Sequence, residues 1–282
     1  MTLWQADFYR RPLQDEAGND LWELVVCDET GGFNACALCP QAQVNSAWLI
    51  DQLQQMAVNG LPGKIQVFRP QSLSLLDVAG QALGIAIEPT RRTPALKQIL
   101  QLRAAKYPTM AGYTGSPYSP IALDSPPPLP MPQELWGDQW RFAAIAAADL
   151  EPAFRDRPIP ICQMPSDLLP VNQAIASTTM IPGVVIDGGR QSMRLAQWLH
   201  QVRPAWLHYI PGGPDGLILA AGLCDRWVLT TFDDPEVTQA AAIFRERQSL
   251  SQGLHFLLVQ PDNSGMTYSG LWLLQDATDR QL

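Results

Sequence analysis

A cluster of prolines near the middle of the chain constrains its fold more than any other feature. Seven prolines lie between residues 109 and 138: Pro117, Pro120, Pro126, Pro127, Pro128, Pro130 and Pro132. Proline has no backbone N–H and a fixed φ, so such a segment cannot continue a helix or a central strand. The run from Ser125 to Pro130 favours extended polyproline, a semi-rigid connection. The sequence therefore predicts two domains, 1–108 and 139–282, joined by a proline-rich linker at 109–138.

Length and composition agree with two globular domains. The chain has 282 residues, of which 46% are hydrophobic and 16% charged. At roughly 100–200 residues per domain, two cores are expected. No apolar run reaches the ~18 residues of a membrane-spanning helix, so we expect no integral membrane segment. The first seven residues resemble neither a secretory signal nor a transit peptide, and the odd number of cysteines, five, indicates reduced thiols. Both features favour a cytoplasmic protein in a bacterial-type cytosol.

The first domain shows a regular alternation of elements. The pattern predicts strands near 4–11, 21–27, 33–38, 64–68 and 85–88, and helices near 46–58, 72–84 and 93–106. The order β-β-β-α-β-α-β-α begins with antiparallel strands and continues with βαβ crossovers. It resembles the ribonuclease-H-like fold, although the order alone fits other mixed α/β folds.

The second domain is also predicted to be mixed α/β. Strands are expected near 182–187, 206–210, 216–221 and 227–231, with a closing hairpin at 254–260 and 268–274. A helix is expected from about 190 to 202, and another begins at the acidic run 233–236. The fold class predicted for the whole chain is therefore α/β, with two mixed domains.

A local group of basic residues stands out against an acidic background. The net charge is −8, from 19 basic and 27 acidic residues, which excludes a protein that binds nucleic acid through its overall charge. The window 91–106 nevertheless contains five cations and no carboxylate. We expect these cations to form a basic ridge that meets phosphates, extended by two arginines at the end of the first strand: Arg91, Arg92, Lys97, Arg103, Lys106, Arg10 and Arg11. The alternative is an ordinary solvated helix, because its dipole also favours cations near the C-terminus.

Tryptophan is frequent and offers a second mode of binding. Nine tryptophans occur, and exposed indoles stack on unpaired bases at ~1–3 kcal/mol per base. Trp4, Trp48 and Trp198 lie at apolar-periodic positions typical of a core. Trp272 lies in the terminal strand, where it shares one face with Leu274 while Leu271 and Leu273 share the other. A strand that is apolar on both faces is usually buried.

Three segments resemble a known family. The opening stretch from Trp4 to Pro12, the strand Leu21-Trp22-Glu23-Leu24 and the closing Gly270-Leu271-Trp272-Leu273-Leu274 are similar to the Tab/Atab family of RNA-binding translation factors of cyanobacteria and chloroplasts. The resemblance covers essentially the whole chain. It implies binding to A/U-rich 5′ untranslated RNA and support for translation of photosystem subunits, notably the photosystem I reaction-centre protein.

The resemblance also implies a site. In the family, a C-terminal Trp-Leu-Leu is tied to RNA binding, and Trp272, Leu273 and Leu274 match it. The chain looks like a cyanobacterial member. Leucines cannot read bases through hydrogen bonds, so the three residues either contact RNA or hold the domain that does.

Two other classes of function stay open. The first is a metal-dependent nuclease centred on Asp7, the position at which a ribonuclease-H-like enzyme holds its metal. Three further carboxylates could be considered beside it: Asp28, Asp51 and Asp77. Arg69 at the end of the fourth strand, and a last helix without acids, favour a non-catalytic site. The second class is a protein-only assembly scaffold, which the acidic second half and the proline-rich linker would suit.

Two smaller motifs carry weaker signals. Cys36 and Cys39 have the spacing of a zinc or redox pair, but domain one has no histidine and no second pair, so buried inert thiols are expected. The turn Gly188-Gly189-Arg190 could accept a phosphate, or serve as an ordinary tight turn. We expect no cofactor and no bound metal.

The leading hypothesis is a non-enzymatic RNA-binding translation factor. Its partner would be a single-stranded A/U-rich mRNA leader, with the ribosome or other translation factors as further partners. The basic ridge would contact the backbone, and Trp272 with its neighbours would form or support a stacking platform.

Overall fold

The computed structural model describes residues 2–58, 60–123 and 126–276. The chain forms two compact units, Met1–Asp124 and Ser125–Leu282. The division falls within the proline-rich segment, and Ser125, where the polyproline run was expected to begin, lies outside the described residues. On either side of the division, the segment packs on one unit or the other.

The first unit contains one five-stranded sheet. Its strands are β1 (Leu3–Gln14), β2 (Asp20–Asp28), β3 (Asn34–Pro40), β4 (Lys64–Val67) and β5 (Ala86–Pro89). They lie in the order β3-β2-β1-β4-β5, with β1, β2 and β3 antiparallel and β1, β4 and β5 parallel. The predicted α/β class and the sequence of elements are confirmed, and the arrangement has the antiparallel start and parallel crossovers expected of a ribonuclease-H-like order.

Three helices cover the sheet: α1 (Ser46–Met56), α2 (Pro70–Leu83) and α3 (Pro94–Ala104). Asn45 caps α1, because its side-chain oxygen accepts from the backbone N–H of Trp48 at 2.9 Å. Gly84 ends α2 in the left-handed conformation, with φ of 70°. One core lies between the sheet and α1 and α2, and a smaller one lies beneath α3.

Among its described residues, the second unit contains two sheets and three α-helices. Its strands are β6 (Leu129–Pro130), β7 (Gln139–Ala146), β8 (Ile161–Gln163), β9 (Met180–Asp187), β10 (Pro204–Ile210), β11 (Asp215–Ala221), β12 (Asp225–Phe232), β13 (Leu254–Gln260) and β14 (Gly270–Gln275). Its helices are α4 (Ala147–Phe154), α5 (Ser192–Val202) and α6 (Pro235–Leu250). One sheet has the order β10-β11-β12-β6 and the other β7-β9-β13-β14-β8.

The terminal strand β14 lies inside the larger sheet. It pairs antiparallel with β13, which confirms the predicted hairpin, and parallel with β8. Trp272 and Leu274 belong to the core shared by the two sheets, while Leu271 and Leu273 belong to the core on the opposite face. The predicted alternation is therefore confirmed. Within the described residues, no helix has the length and apolar character needed to cross a membrane.

Candidate nucleic-acid interface

The carboxylate of Asp7 is fully buried at the centre of the first unit's sheet. Its Oδ1 accepts a hydrogen bond from Arg69 Nε at 2.8 Å, and its Oδ2 accepts one from Arg11 Nη2 at 2.9 Å. Arg11 lies four residues further along β1 and so on the same face. Arg69 follows the end of β4, the parallel neighbour of β1. Two guanidinium groups therefore occupy the places beside Asp7 where a two-metal nuclease needs further carboxylates.

A second buried carboxylate, Glu23 on β2, extends this ion-pair network. It accepts hydrogen bonds from Arg11 Nε at 3.3 Å, Arg103 Nε at 3.1 Å and the hydroxyl of Tyr107 at 2.7 Å. Burial acts to lower the pKa of Arg11, but Asp7 leads the groups that outweigh it and raise that pKa. For Tyr107, whose charged form is the anion, burial raises the pKa. Three arginines and two carboxylates leave the network with one net positive charge.

A segment after α3, residues 118–122, covers the network. Arg11 Nη1 lies 2.6 Å from the hydroxyl of Tyr118, and Arg69 donates to the carbonyls of Pro120 at 2.7 Å and Ala122 at 3.1 Å. These contacts use N–H groups of both guanidinium groups that do not contact Asp7. A phosphate could reach Arg11 or Arg69 only if this segment moved away.

Two of the predicted ridge residues point into the unit. Arg11 is buried between Asp7 and Glu23, and Arg103 pairs with Glu23 with only 19% of its side chain exposed. The prediction of an exposed ridge needs correction at these two positions, because the buried carboxylates hold both guanidinium groups inward. Neither carboxylate is adjacent to its arginine in sequence, so the charge-free window 91–106 did not reveal the pairing.

The other five ridge residues differ in exposure. Lys97 is half-buried and donates to the carbonyl of Arg91 at 2.8 Å, and its pKa is lowered by burial and then by Arg91. Arg92 and Lys106 are exposed, one before α3 and the other after it. Arg10 is 61% exposed and pairs with Asp20 at 2.9 Å. Arg10, Arg92 and Lys106 are therefore the three ridge residues whose side chains are exposed.

Trp272 is fully buried, and Leu273 and Leu274 are 3% and 4% exposed. The indole lies in the core between the two sheets of the second unit, where its ring packs closely against Gly270. Its Nε1 has no hydrogen-bond partner among the described residues. In this conformation none of the three side chains is exposed enough to contact a base.

The structure also places the two minor motifs of the sequence. The N–H groups of Gly188 and Gly189 donate to the carbonyls of Gln260 and Pro261, and the Asp138 carboxylate lies against Gly189. Because both N–H groups already donate to carbonyls and a carboxylate lies beside them, this turn is poorly suited to bind an anion. Cys39 is buried, and burial raises its pKa to about 11, whereas Cys36 is exposed, contrary to the expectation of two buried thiols. Residues three apart on a strand face opposite ways, so the pair cannot converge on one metal. No cluster of metal-ligating side chains occurs among the described residues.

An exposed tryptophan lies outside the residues that the sequence predicts for the site. Trp136 is 57% exposed and lies at the rim of a cavity of about 120 Å³ in the second unit. The cavity lies between the two sheets, with Ile186 of β9 and Leu217 of β11 among its walls and Thr230 of β12 among its polar groups. We call it the Trp136 cavity. The signal in the sequence was a tryptophan between Pro132 and Gly137, outside any periodic element.

The first unit thus carries a few exposed cations and the second an exposed indole, and cations and aromatic rings are the groups through which proteins contact unpaired nucleic acid. Comparison with known families makes this specific. The family described as RNA-binding protein Tab2/Atab2 matches in both parts, its N-terminal model over residues 3–103 and its C-terminal domain over residues 118–275. The chain belongs to the Tab2/Atab2 family of RNA-binding proteins.

Curated relatives and a solved structure complete the comparison. The chain is 30% identical to the chloroplastic TAB2 homologs of Arabidopsis thaliana and Zea mays, over 97% of its length and over 74% and 71% of theirs. The catalytic core domain of HTLV-2 integrase is 19% identical, covers 36% of this chain and 68% of its own, and gives a TM-score of 0.24.

Proposed function

We propose that this protein binds single-stranded A/U-rich RNA in 5′ untranslated regions and supports translation of photosystem-subunit mRNAs in a cyanobacterial cytosol. The observation that carries the proposal is the match of both structural units to one family of RNA-binding proteins. The chloroplastic relatives favour a role in photosynthetic gene expression. The ribosome and other translation factors are the partners that such a role requires.

The charge distribution favours single strands over duplexes. With a net charge of −8, the chain gains little from bulk attraction to a polyanion. Arg10, Arg92 and Lys106 can contact a few phosphates, and an exposed aromatic ring can stack on a base only where that base is unpaired. A/U-rich leaders supply unpaired bases because their duplexes are weak.

The terminal Trp-Leu-Leu would act indirectly in this function. Trp272, Leu273 and Leu274 fill two cores on either side of β14, so their replacement would disturb the unit that presents the binding surface. Asp7 would have a structural role and no catalytic one, because both of its oxygens are held by arginines.

The first experiment is a titration of the purified chain against a labelled A/U-rich leader and a scrambled, structured control of equal length. We expect tighter binding of the leader at low salt. Absence of binding to either RNA would refute the proposal and favour a protein-only scaffold. Incubation of the same RNA with Mg²⁺ should leave it intact, whereas cleavage that disappears in Asp7→Asn would assign the protein to the nucleases.

The second experiment tests the exposed cations. For single strands the logarithm of affinity changes with the logarithm of salt by about −0.7 per phosphate contact. The double variant Arg92→Gln, Lys106→Gln should weaken binding and reduce this slope by up to about 1.4. Arg155→Gln, an exposed arginine paired with Glu151 in the second unit, is the matched control and should leave the slope unchanged.

The cellular part of the proposal needs a separate measurement. Pulse labelling in a cyanobacterium that lacks this chain should show reduced synthesis of photosystem I reaction-centre protein at unchanged mRNA level. Reintroduction of the wild-type chain should restore synthesis. Unchanged synthesis would limit the function to RNA binding without translational support.

A further inference from the structure

Trp136 differs from the other tryptophans in its environment. All nine lie within the described residues, and among these it is the only one that is exposed, the other eight being buried or half-buried. An exposed indole lacks the hydrophobic stabilisation that tryptophan usually gains in a core or at an interface. This position therefore presents a flat, electron-rich ring to solvent.

The ring is also held in place. The indole Nε1 donates to the carbonyl of Met131 at 3.2 Å, and the backbone N–H of Trp136 donates to the carbonyl of Gln133 at 3.2 Å. The next residue, Gly137, lies so close to β9 that a Cβ atom would be 2.7 Å from Ile186 Cγ2. A ring that is anchored by its Nε1 and by its own backbone loses little conformational entropy when a ligand stacks on it.

The cavity beside the ring can admit the edge of one planar heterocycle. Its volume is about 120 Å³, somewhat less than the volume of about 150 Å³ at which a closed apolar cavity holds a benzene molecule, so a larger ring would insert in part. The walls are mostly apolar, and no charged side chain is among the described residues that line them. Thr230 adds a hydroxyl, whose bond to the carbonyl of Thr231 is long at 3.4 Å. The site thus suits a neutral ring with a polar edge and not a phosphate.

We propose that the Trp136 cavity binds one unpaired nucleobase of the RNA, stacked on Trp136 with its edge near Thr230. The inference rests on the proposed function and names its base-binding site. A base within a duplex cannot enter, so the site selects single strands. The uncharged lining also explains how an acidic protein can bind RNA without a large basic surface.

The test combines variants with RNAs that lack single bases. Trp136→Ala should weaken binding of the A/U-rich leader roughly 5- to 150-fold, the equivalent of ~1–3 kcal/mol for one stacked base. Trp136→Phe should retain most of the affinity, and Thr230→Val should lose part of it. Leu129→Ala is the matched control, because Leu129 is 58% exposed in the nearby β6 and does not line the cavity.

A series of leaders with one abasic site each, moved along the sequence, locates the base. One position should matter for the wild type and not for Trp136→Ala, since that variant has already lost the contact. Equal affinity of Trp136→Ala and wild type would overturn the inference, as would the same abasic profile in both. A change of oligomeric state without a change in RNA binding would assign the surface to protein contacts instead. Failure of the wild type to bind any RNA would refute the proposed function itself.

Discussion

Replacement of Trp272 by alanine should lower the stability of the second unit, and through it RNA binding. The indole is fully buried in the core between the two sheets, and truncation of such a side chain typically costs about 3–5 kcal/mol. At roughly 2–4 °C per kcal/mol for a unit of this size, the melting temperature should fall by about 6–20 °C. Trp272→Phe should cost less, because it also removes the unpaired Nε1.

The close contact with Gly270 provides an internal check. A Cβ atom at Gly270 would lie 2.4 Å from Cη2 and 2.6 Å from Cζ3 of Trp272. Gly270→Ala alone should therefore destabilise the unit by about 1–3 kcal/mol through overpacking. The side chain introduced by Trp272→Phe lacks the outer part of the indole and leaves room for this Cβ. The double variant Gly270→Ala, Trp272→Phe should therefore lose less free energy of unfolding than the two single variants lose together, by about 0.5–3 kcal/mol.

The assay compares thermal unfolding with RNA affinity for the same variants. If Trp272 acts as a scaffold, affinity measured well below each melting temperature should stay close to wild type. Loss of binding near the transition should then follow the unfolded fraction, and Gly270→Ala should behave like Trp272→Phe. The reasoning is refuted if Trp272→Phe keeps the wild-type melting temperature and still loses tenfold or more in affinity, which would place the indole in contact with RNA.

Three further predictions concern ionisable side chains. Arg69→Gln should destabilise the first unit by about 3–5 kcal/mol, because it removes one of the two cations that neutralise buried Asp7; denaturant unfolding measures this. Burial lowers the pKa of His255 to about 4 from an unfolded value near 6.5, so below pH 6.5 the unfolded chain binds a proton that the folded chain does not. The free energy of unfolding should therefore be constant above pH 6.5 and fall by up to about 3 kcal/mol towards pH 4. Cys36 should react with a thiol reagent in the native protein, whereas buried Cys39 should react only on unfolding, as mass spectrometry of the labelled peptides would show.

Matched variants separate these effects from general damage. Lys64→Gln breaks an exposed pair with Glu88 and should change stability by no more than about 1 kcal/mol. An effect as large as that of Arg69→Gln would contradict the reasoning. His208→Gln alters an exposed histidine and should keep the fall in stability below pH 6.5, which His255→Gln should largely remove. Persistence of the full fall in His255→Gln would assign it to the carboxylates.

The order of elements in the first unit could be predicted because each element carries its own local signal. Strand alternation, the cap at Asn45 and the left-handed Gly84 all lie within a few residues of the structure they specify. In the second unit, α4 and the strands β6, β7 and β8 were not predicted. Helix α4 contains Pro152, which obscures its periodicity, and β8 has only three residues.

The candidate site was harder to predict because its contacts are distant in sequence. Arg11 meets Glu23 across neighbouring strands and Tyr118 from a segment 107 residues away. A count of charges along the chain cannot reveal such partners, and it treats a buried arginine and an exposed one alike. Trp272 was correctly suspected of burial, because its strand is apolar on both faces.

Trp136 was hard to predict for the opposite reason. The prolines around it predict a linker, yet Leu129 and Pro130 pair with β12, and Met131 and Leu135 belong to the core between the two sheets of the second unit. Prolines there stop regular structure without preventing packing. The exposure of one indole in such a segment depends on where the surrounding loop packs, which local sequence patterns do not specify.

The charge of this chain and the burial of its arginines lead to a testable property of the complex. Of the seven cations predicted for the ridge, Arg10, Arg92 and Lys106 are exposed, and three phosphate contacts to a single strand give a salt slope of about −2. Stacking in the Trp136 cavity adds affinity without adding to that slope. Binding should therefore weaken only moderately from low to physiological salt, and Trp136→Ala should lower affinity at every salt concentration by the same factor. A much steeper slope in the wild type would mean that Arg11 and Arg69 are uncovered when RNA binds, and that the segment at 118–122 moves to release them.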